Sequence, residues 1–511
     1  MKYLIHNSAF LRNTGSGIRS NVIPVTADNI YMLSAVMLWY KLKYPDAADS
    51  PGRTRSTTCI RQRPAVRILC SFISFCLFFS TSILSASDKV LDYSRVATID
   101  YLVERAISNN LIAGGVVVIG NHAGILASTA HGRLSARPDA PLLGEQTIFD
   151  LASLTKVIAT APAVMKLLDE GRISLQDPLT RWFPEFKGTE RENTTILHLL
   201  THTSGLADFD MSKEQVMQTA INRAAAEKYR ESPGSSFSYA DINFILLGEL
   251  VHRVSGKTLD AYCREELFAP LVTPETMFLP TLNMKDRIAP TLGIDGGTVQ
   301  DRNSRRLGSV AGHAGLFSSA QDLARFARLM LDGGVLDGRR ILSEQVVKQM
   351  TSPFLCSNDT VVRGLGWDMN SRFSSPKGRL FSDASFGHTG YSGSSIWIDP
   401  KQDLFVVLLT NRLNYRDIGV FNQLRSDIST LAAAEFGKPG DILTQAAAPE
   451  ITRITADPRR TATRGIPVSS RGIRLVAAVS ESHYKAHRHY SKKNGKSLRR
   501  KSSGRTRRAL T

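Results

Sequence analysis

The sequence predicts an α/β (α+β) fold, an antiparallel sheet flanked by helices with an all-helical lobe inserted into it. Three observations carry this. The body of the chain opens with a helical period followed by two apolar runs around a turn; its middle, about 153–317, is helical and broken by Pro/Gly loops; its end returns to strands and a last helix. Strands at both ends and helices between them place the two ends in one sheet, with the middle as an insertion.

Taken in order, Ile99, Leu102, Val103, Ala106 and Ile107 recur at helical spacing over 99–107. Gly114-Gly115-Val-Val-Val-Ile-Gly-Asn-His-Ala-Gly-Ile-Leu-Ala then reads as a β-hairpin about a Gly/Asn turn. Ser153 to Glu170 reads as a helix stopped by Gly171, and Phe244–Val254 as another. Ser318-Ser319-Ala-Gln321 has the form of a capping box opening a helix over 320–332. Ser394–Ile398 and Leu404–Thr410 read as strands split by an Asp399-Pro400 turn, and Ile418–Phe436 as a closing amphipathic helix.

The formal charge of +18 belongs to the ends. Residues 1–66 carry nine Lys/Arg against three acids, and 441–511 seventeen against four, which leaves 67–440 at −1. A globular basic platform for nucleic acid is therefore excluded from the body, and a basic tail alone is more often a solvated extension. From Ile68 to Leu84 runs an almost uncharged stretch with Arg61, Arg63 and Arg67 before it and Ser85-Ala86-Ser87 after it. Basic flank, apolar core and small residues are the parts of an export signal. At 17 residues the stretch also meets the lower bound of a membrane anchor, about 17–25 residues. The expected organisation is a basic extension (1–66, or sequence ahead of the true start near Val66), a signal or anchor (67–87), a body (88–440) and a disordered basic tail (441–511). Cys263 and Cys356 fall in the body; one disulfide between them is open, and no Cys/His cluster has zinc spacing. His483, His487 and His489 cluster in the tail, where a solvated segment is the plainer reading.

Three motifs carry chemistry. Ser153-Leu-Thr-Lys156 is weak as a pattern, because Ser-x-x-Lys recurs at Ser374…Lys377 and Ser482…Lys485. Its context sets it apart: Thr147-Ile-Phe-Asp150-Leu-Ala152 leads into it and an apolar periodic run follows. That places Ser153 at a helix start, where free N–H groups favour developing negative charge, with Lys156 one turn on. A serine needs a base, and a desolvated lysine amine can serve; the plainer alternative is an N-cap serine followed by a solvent-facing lysine. Tyr239-Ala240-Asp241-Ile242-Asn243 sits at a corner between a Pro/Gly/Ser loop and a helix, either facing a cleft or merely starting the helix. Gly387-His388-Thr389-Gly390-Tyr391 is a glycine-rich strand entry that a ligand can approach closely, or else a loop with a satisfied histidine.

In this order the three motifs, with Leu199-Leu-Thr-His-Thr-Ser-Gly-Leu206 and Val310-Ala-Gly-His-Ala-Gly-Leu-Phe-Ser318, resemble the serine β-lactamases and penicillin-binding proteins. The resemblance spans about 95–437 and points to the class C β-lactamase branch with its D-peptidases and carboxylesterases. It implies Ser153 as the acylated nucleophile, Lys156 as its proton acceptor and orienter, and Tyr239 as the shuttle to the leaving group and activator of water. It further implies an oxyanion hole from the backbone N–H groups of Ser153 and Tyr391. His388 joins the catalytic set, and Asp241, Asn243, Thr389, Gly390 and His313 are expected to contact substrate. No metal or other cofactor is implied.

Two positions depart from the family pattern. Asp241 stands where Asn is usual, and His388 where Lys is usual. A mostly neutral imidazole lacks the charge that attracts a β-lactam carboxylate. The expectation is therefore an exported hydrolase of esters or peptidoglycan-derived peptides, poor on penicillins, with acidification toward about pH 6 restoring part of the attraction. Two other classes remain open at this point: a catalytically silent envelope-binding protein and, through the tail, a nucleic-acid binder. His198 and His202 are expected to be structural. The oligomeric state is not legible.

Overall fold

The computed structural model describes residues 95–438 other than 212–213, 229–230 and 357–360, together with 452–453. The chain divides into two units, Met1–Lys89 and Val90–Thr511. The first lies outside the described residues, as do the 68–84 stretch and the tail histidines. Among the described residues no helix is long and apolar enough to cross a membrane.

Helix α1 (Ala97–Ser108) leads into β1 (Ile112–Asn121) and β2 (Gly124–Gly132), the expected hairpin. At its turn the Asn121 side chain accepts the Ala123 N–H at 3.0 Å. A helical segment follows, running from a 3₁₀ turn at Ala152–Leu154 through Lys156–Thr160 into α2 (Ala161–Asp169). The lobe contains α3 (Asp241–Ser255), and the chain returns through α4 (Ala320–Leu331). Then come β3 (Phe354–Cys356), β4 (Val361–Arg363), β5 (Asp368–Asn370), β6 (Phe386–Thr389), β7 (Ser395–Asp399) and β8 (Leu404–Arg412). Helix α5 (Ile418–Phe436) and the short β9 (Thr452–Arg453) complete the described chain.

These nine strands form one sheet in the order β9-β3-β4-β5-β6-β7-β8-β1-β2, antiparallel except for the β9–β3 pair. The two ends of the body thus meet at β8–β1, where Val116 opposes Leu409 and Val118 opposes Val407. Period-two alternation sends Val116, Val118, Phe405, Val407 and Leu409 to the core shared with the lobe. It sends Val117, Ile119, Leu404, Val406 and Leu408 to a second core under α1 and α5. A sheet covered on both faces explains why these strands read as unbroken apolar runs.

Two expectations are corrected and one open question, the pairing of Cys263 and Cys356, is answered. The lobe is not all helical: Met277–Phe278 and Ile288–Ala289 join Ile148–Asp150 and Leu316–Ser319 in a four-stranded sheet at its base. The α4 cap is Ser319, whose side chain accepts the Asp322 N–H at 3.3 Å, while Gln321 reaches Ser128 and Glu145 instead. Ser318 continues the strand Leu316–Ser319, so the helix is capped one residue later than the Ser-x-x-Gln pattern implies. Cys263 and Cys356 are free buried thiols with separate backbone carbonyl acceptors, Ala159 and Phe354.

A chain of residues 88–440 should fold cooperatively and keep its activity, since the strand pair it loses involves only two residues of β9. Thermal unfolding and ester turnover check this; an insoluble product would make 441–511 part of the fold.

Candidate active site

The turn carrying Ser153 begins at the end of a short strand, Ile148–Asp150. Ala152 adopts a left-handed backbone (φ 47), which costs a non-glycine residue about 1–2 kcal/mol. It is held there by hydrogen bonds: the Asp150 carboxylate accepts the Ala152 N–H at 2.8 Å and the Gln300 N–H at 2.7 Å. Burial nevertheless pushes the Asp150 carboxyl up to about 6. Ser392 Oγ donates to Asp150 O at 2.6 Å and Ser394 Oγ to Leu151 O at 2.9 Å. The turn carrying Ser153 is therefore fastened to the loop between β6 and β7. Gly390 permits this contact, because a Cβ there would strike Leu151 O and Ser394 Oγ. Arg425 secures the same loop, donating to Gly390 O at 2.7 Å and Ser394 O at 2.8 Å.

Lys156 is completely buried. Its Nζ lies 3.1 Å from Ser153 Oγ, 3.1 Å from His313 O and 2.7 Å from Asp241 Oδ1. The approach of His313 depends on Gly312, where a Cβ would collide with Phe244 O; Thr160 Oγ1 also donates to Gly312 O at 2.7 Å. Burial alone would lower the Lys156 pKa, but attraction to Asp241 and then Tyr239 outweighs it and raises the pKa above the usual lysine range. Burial would likewise raise Asp241, yet Lys156 and then His313 hold it below the usual carboxylate range. The raised pKa favours the ammonium form over the free amine expected of a base, with Nζ within hydrogen-bond reach of Ser153 Oγ.

Tyr239 is half-buried, its ring centroid 5.1 Å from Lys156 Nζ. The His202 ring stacks on it at 4.4 Å. His202 is buried, and its Nδ1 accepts the Ala240 N–H at 3.3 Å and lies 3.2 Å from Asn243 Nδ2. Burial, reinforced by Arg363 and Lys156, keeps it neutral. His202 is structural as expected, and it props the tyrosine.

A cleft of about 230 Å³ brings together Ser153, Tyr239, His388, Thr389, Gly390 and Tyr391. Asp241, Asn243 and His313, all expected to contact substrate, do not line it. Asn243 is buried, bonded to Ser204 Oγ at 2.5 Å and to Ala240 O at 3.2 Å. Two residues along a helix turn a side chain by roughly 200°, so Asp241 at the first position of α3 meets Lys156 while Asn243 points away. His313 offers its carbonyl, not its ring, whose Nε2 lies 2.8 Å from Asp301. Asp301 was missed in the sequence. Its one signal was an Asp-x-x-Ser cap, and Asp301 Oδ1 does accept the Ser304 N–H at 2.6 Å. Although burial opposes it, His313 holds the Asp301 carboxyl at about 2. Asp241, Asp301 and His313 place three ligand-type atoms within 4.8 Å of one another. The Lys156 ammonium supplies the positive charge beside them.

His388 is 6% exposed, its Nδ1 2.9 Å from Thr389 O. Burial first, then Arg363 and Lys156, depress its pKa well below the ordinary value. This direction runs against the protonation expected near pH 6. By linkage, a depressed histidine pKa supports stability at neutral pH that is lost as pH falls below about 6.5.

The family described as Beta-lactamase matches residues 99–423, and the chain belongs to that family. A curated relative, "Putative D-alanyl-D-alanine carboxypeptidase" of Escherichia coli (strain K12), is 30% identical over 307 residues, 52% of this chain and 69% of its own. Among solved structures, "EstCE1, a hydrolase with promiscuous acyltransferase activity" is 21% identical with a TM-score of 0.56, covering 67% of this chain and 100% of its own. A class C beta-lactamase is 16% identical with a TM-score of 0.57, covering 69% and 99%. The protein is a serine hydrolase of this family.

Two outcomes are expected. Asp241→Asn removes the largest attraction holding the Lys156 proton, so the alkaline limb of the kcat/KM profile should move to lower pH by about one unit or more. A pH–rate series on both proteins measures it. In the unaltered protein, the ratio of kcat/KM for a cephalosporin to that for a neutral ester should stay constant between about pH 7.5 and 6, because His388 does not titrate there. A rise of the ratio in acid would assign it a charge.

Proposed function

We propose that the protein cleaves amide or ester bonds of small, peptidoglycan-derived acyl donors through an ester on Ser153, as an exported D-peptidase or carboxylesterase with poor β-lactamase activity. The carrying observation is the Lys156 ammonium, tied at once to Ser153 Oγ, His313 O and Asp241. Lys156 orients Oγ toward the bound carbonyl. As Oγ attacks, its proton passes to the Tyr239 oxygen while the phenolic proton of Tyr239 goes to the leaving group. The carbonyl–leaving-group bond then breaks. In the second half water attacks the ester, its proton passes to Tyr239, and Ser153 recovers the tyrosine's proton. The backbone N–H groups of Ser153 and Tyr391 face the developing oxyanion, where each such donor is worth about 2.7–4 kcal/mol. The carboxypeptidase relative supports a D-alanyl substrate. The neutral His388 argues against efficient capture of a β-lactam carboxylate from that strand. Export rests on the apolar 68–84 stretch and its basic flank.

Intact-protein mass spectrometry after incubation with a penicillin, a p-nitrophenyl ester and a D-Ala-D-Ala peptide tests this. A single acyl adduct should form and decay fastest with the ester or peptide. Ser153→Ala should abolish adduct and turnover, a loss of at least about 10³-fold, with the fold intact. Full labelling of that variant by a fluorophosphonate would refute the assignment. An unaltered protein with no adduct from any class would favour a silent binding protein.

A further inference from the structure

Three successive carbonyls of the loop behind Lys156 each accept a side-chain donor. Gly312 O takes Thr160 Oγ1 at 2.7 Å, His313 O takes Lys156 Nζ at 3.1 Å, and Ala314 O takes Ser304 Oγ at 2.9 Å. The Leu316 N–H donates to Thr155 Oγ1 at 3.1 Å, so the loop is sewn to the segment that carries Lys156. Glycines at 312 and 315, the latter at φ 119, leave this stretch a backbone freedom that side-chain anchors must remove. The His313 ring is one such anchor. It is 2% exposed and stays out of the cleft, with Nε2 2.8 Å from Asp301 Oδ1, while its Nδ1 has no hydrogen-bond partner among the described residues.

Asp301 is itself held on both sides. Its Oδ1 accepts the Ser304 N–H at 2.6 Å and so caps the helical turn Arg302–Arg306, whose Arg305 reaches back to Gln300 O at 2.7 Å. The Gln300 N–H in turn donates to Asp150 Oδ2 at 2.7 Å, and the other oxygen of that carboxylate accepts the Ala152 N–H at 2.8 Å. Gln300-Asp301 is thus a strap joining two sides of Lys156. One end holds the turn carrying Ser153, and the other holds the residue whose carbonyl receives the ammonium. An ionised carboxylate can only accept, so the proton of the His313 ring that faces Asp301 sits on Nε2, and the ring's direction is set by that bond.

We propose that Asp301 is a positioning residue for acylation: through the His313 ring it aims the His313 carbonyl at Lys156 Nζ, and thereby the ammonium at Ser153 Oγ. This rests on the reading of Ser153 as the acylated serine. Asp301 and His313 do not line the cleft, so loosening them leaves the surface that captures substrate in place. Their loss therefore slows bond formation at Ser153 rather than weakening binding. The hydrogen bond does the positioning, and an asparagine, whose amide oxygen accepts the same two N–H groups, can stand in for the carboxylate.

The test follows the burst of p-nitrophenol from a p-nitrophenyl ester by stopped flow, which separates the acylation rate constant from the ester's Kd, on full-length proteins whose folding is checked by thermal unfolding. Asp301→Ala should slow acylation by about 10²-fold, the scale of a displaced reacting group, with Kd changed by less than about twofold. Asp301→Asn should recover most of the rate, to within about fivefold of the unaltered protein. His313→Ala, which keeps the carbonyl and removes the ring, should reproduce the Asp301→Ala loss, and the double variant should lose no more than about twofold beyond either single one. Should Asp301→Ala fail to fold, His313→Ala and Asp301→Asn carry the same comparison. Acylation by folded Asp301→Ala or His313→Ala at the unaltered rate, a loss that lies in Kd, an asparagine variant as slow as the alanine one, or losses that multiply in the double variant each overturn the positioning role alone. No burst and no fluorophosphonate labelling of the unaltered protein overturns the hydrolase reading, and this role with it.

Discussion

The ion pair between Lys156 and Asp241 is the constraint on which the site depends. A lysine buried this completely would ordinarily lose its proton, and a carboxylate buried beside it would ordinarily gain one. Each reverses the other, so the pair stays charged and the ammonium directs its remaining hydrogen bonds at Ser153 Oγ and His313 O. Three separate segments must arrive together for that: the helix after Ala152, the first turn of α3, and the glycine-bounded loop carrying His313. Helix α3 is itself anchored, its second N–H bound by Asp208 Oδ1 at 3.0 Å.

The sheet supplies the rigidity behind this. Because β1 and β8 bury both faces, the entry of β6 and the β6–β7 loop are fixed on a sheet held between two cores. The loop is then tied to the Ser153 turn by Ser392 and Ser394, and Arg425 braces the loop itself. The strained Ala152 persists because these contacts over-determine it, and such strain is characteristic of catalytic turns.

Electrostatically the cleft is asymmetric. At Lys156 and Asp241, beside Ser153, the charges cancel. Toward the start of α5 they do not, since Arg412 and Arg425 lack carboxylate partners among the described residues. A neutral His388 lies in the same cleft as this positive end. The family's usual arrangement of charge along the last motif is here replaced by a different distribution over the same surface.

By itself the sequence determined the first hairpin, the last two long strands, the principal helices and the serine-lysine and tyrosine motifs, because each is written in local periodicity or a fixed short spacing. Ser153 and Lys156 are one helical turn apart, and no tertiary knowledge is needed to place them on one face. It also determined that the charge of +18 belongs to the ends. Only the tertiary structure decided what those residues do. The protonation of Lys156 depends on Asp241, 85 positions away; the orientation of His313 depends on Asp301; the neutrality of His388 depends first on its burial, then on Arg363 and Lys156. Asn243 resembled a site residue from its place in the motif, and the phase of α3 turned it inward. Arg412 gave no signal at all, for an arginine ending an apolar strand reads as a surface residue until the fold encloses it. Spacing along the chain reports neighbours within a turn or a strand, whereas charge states are set by neighbours through space.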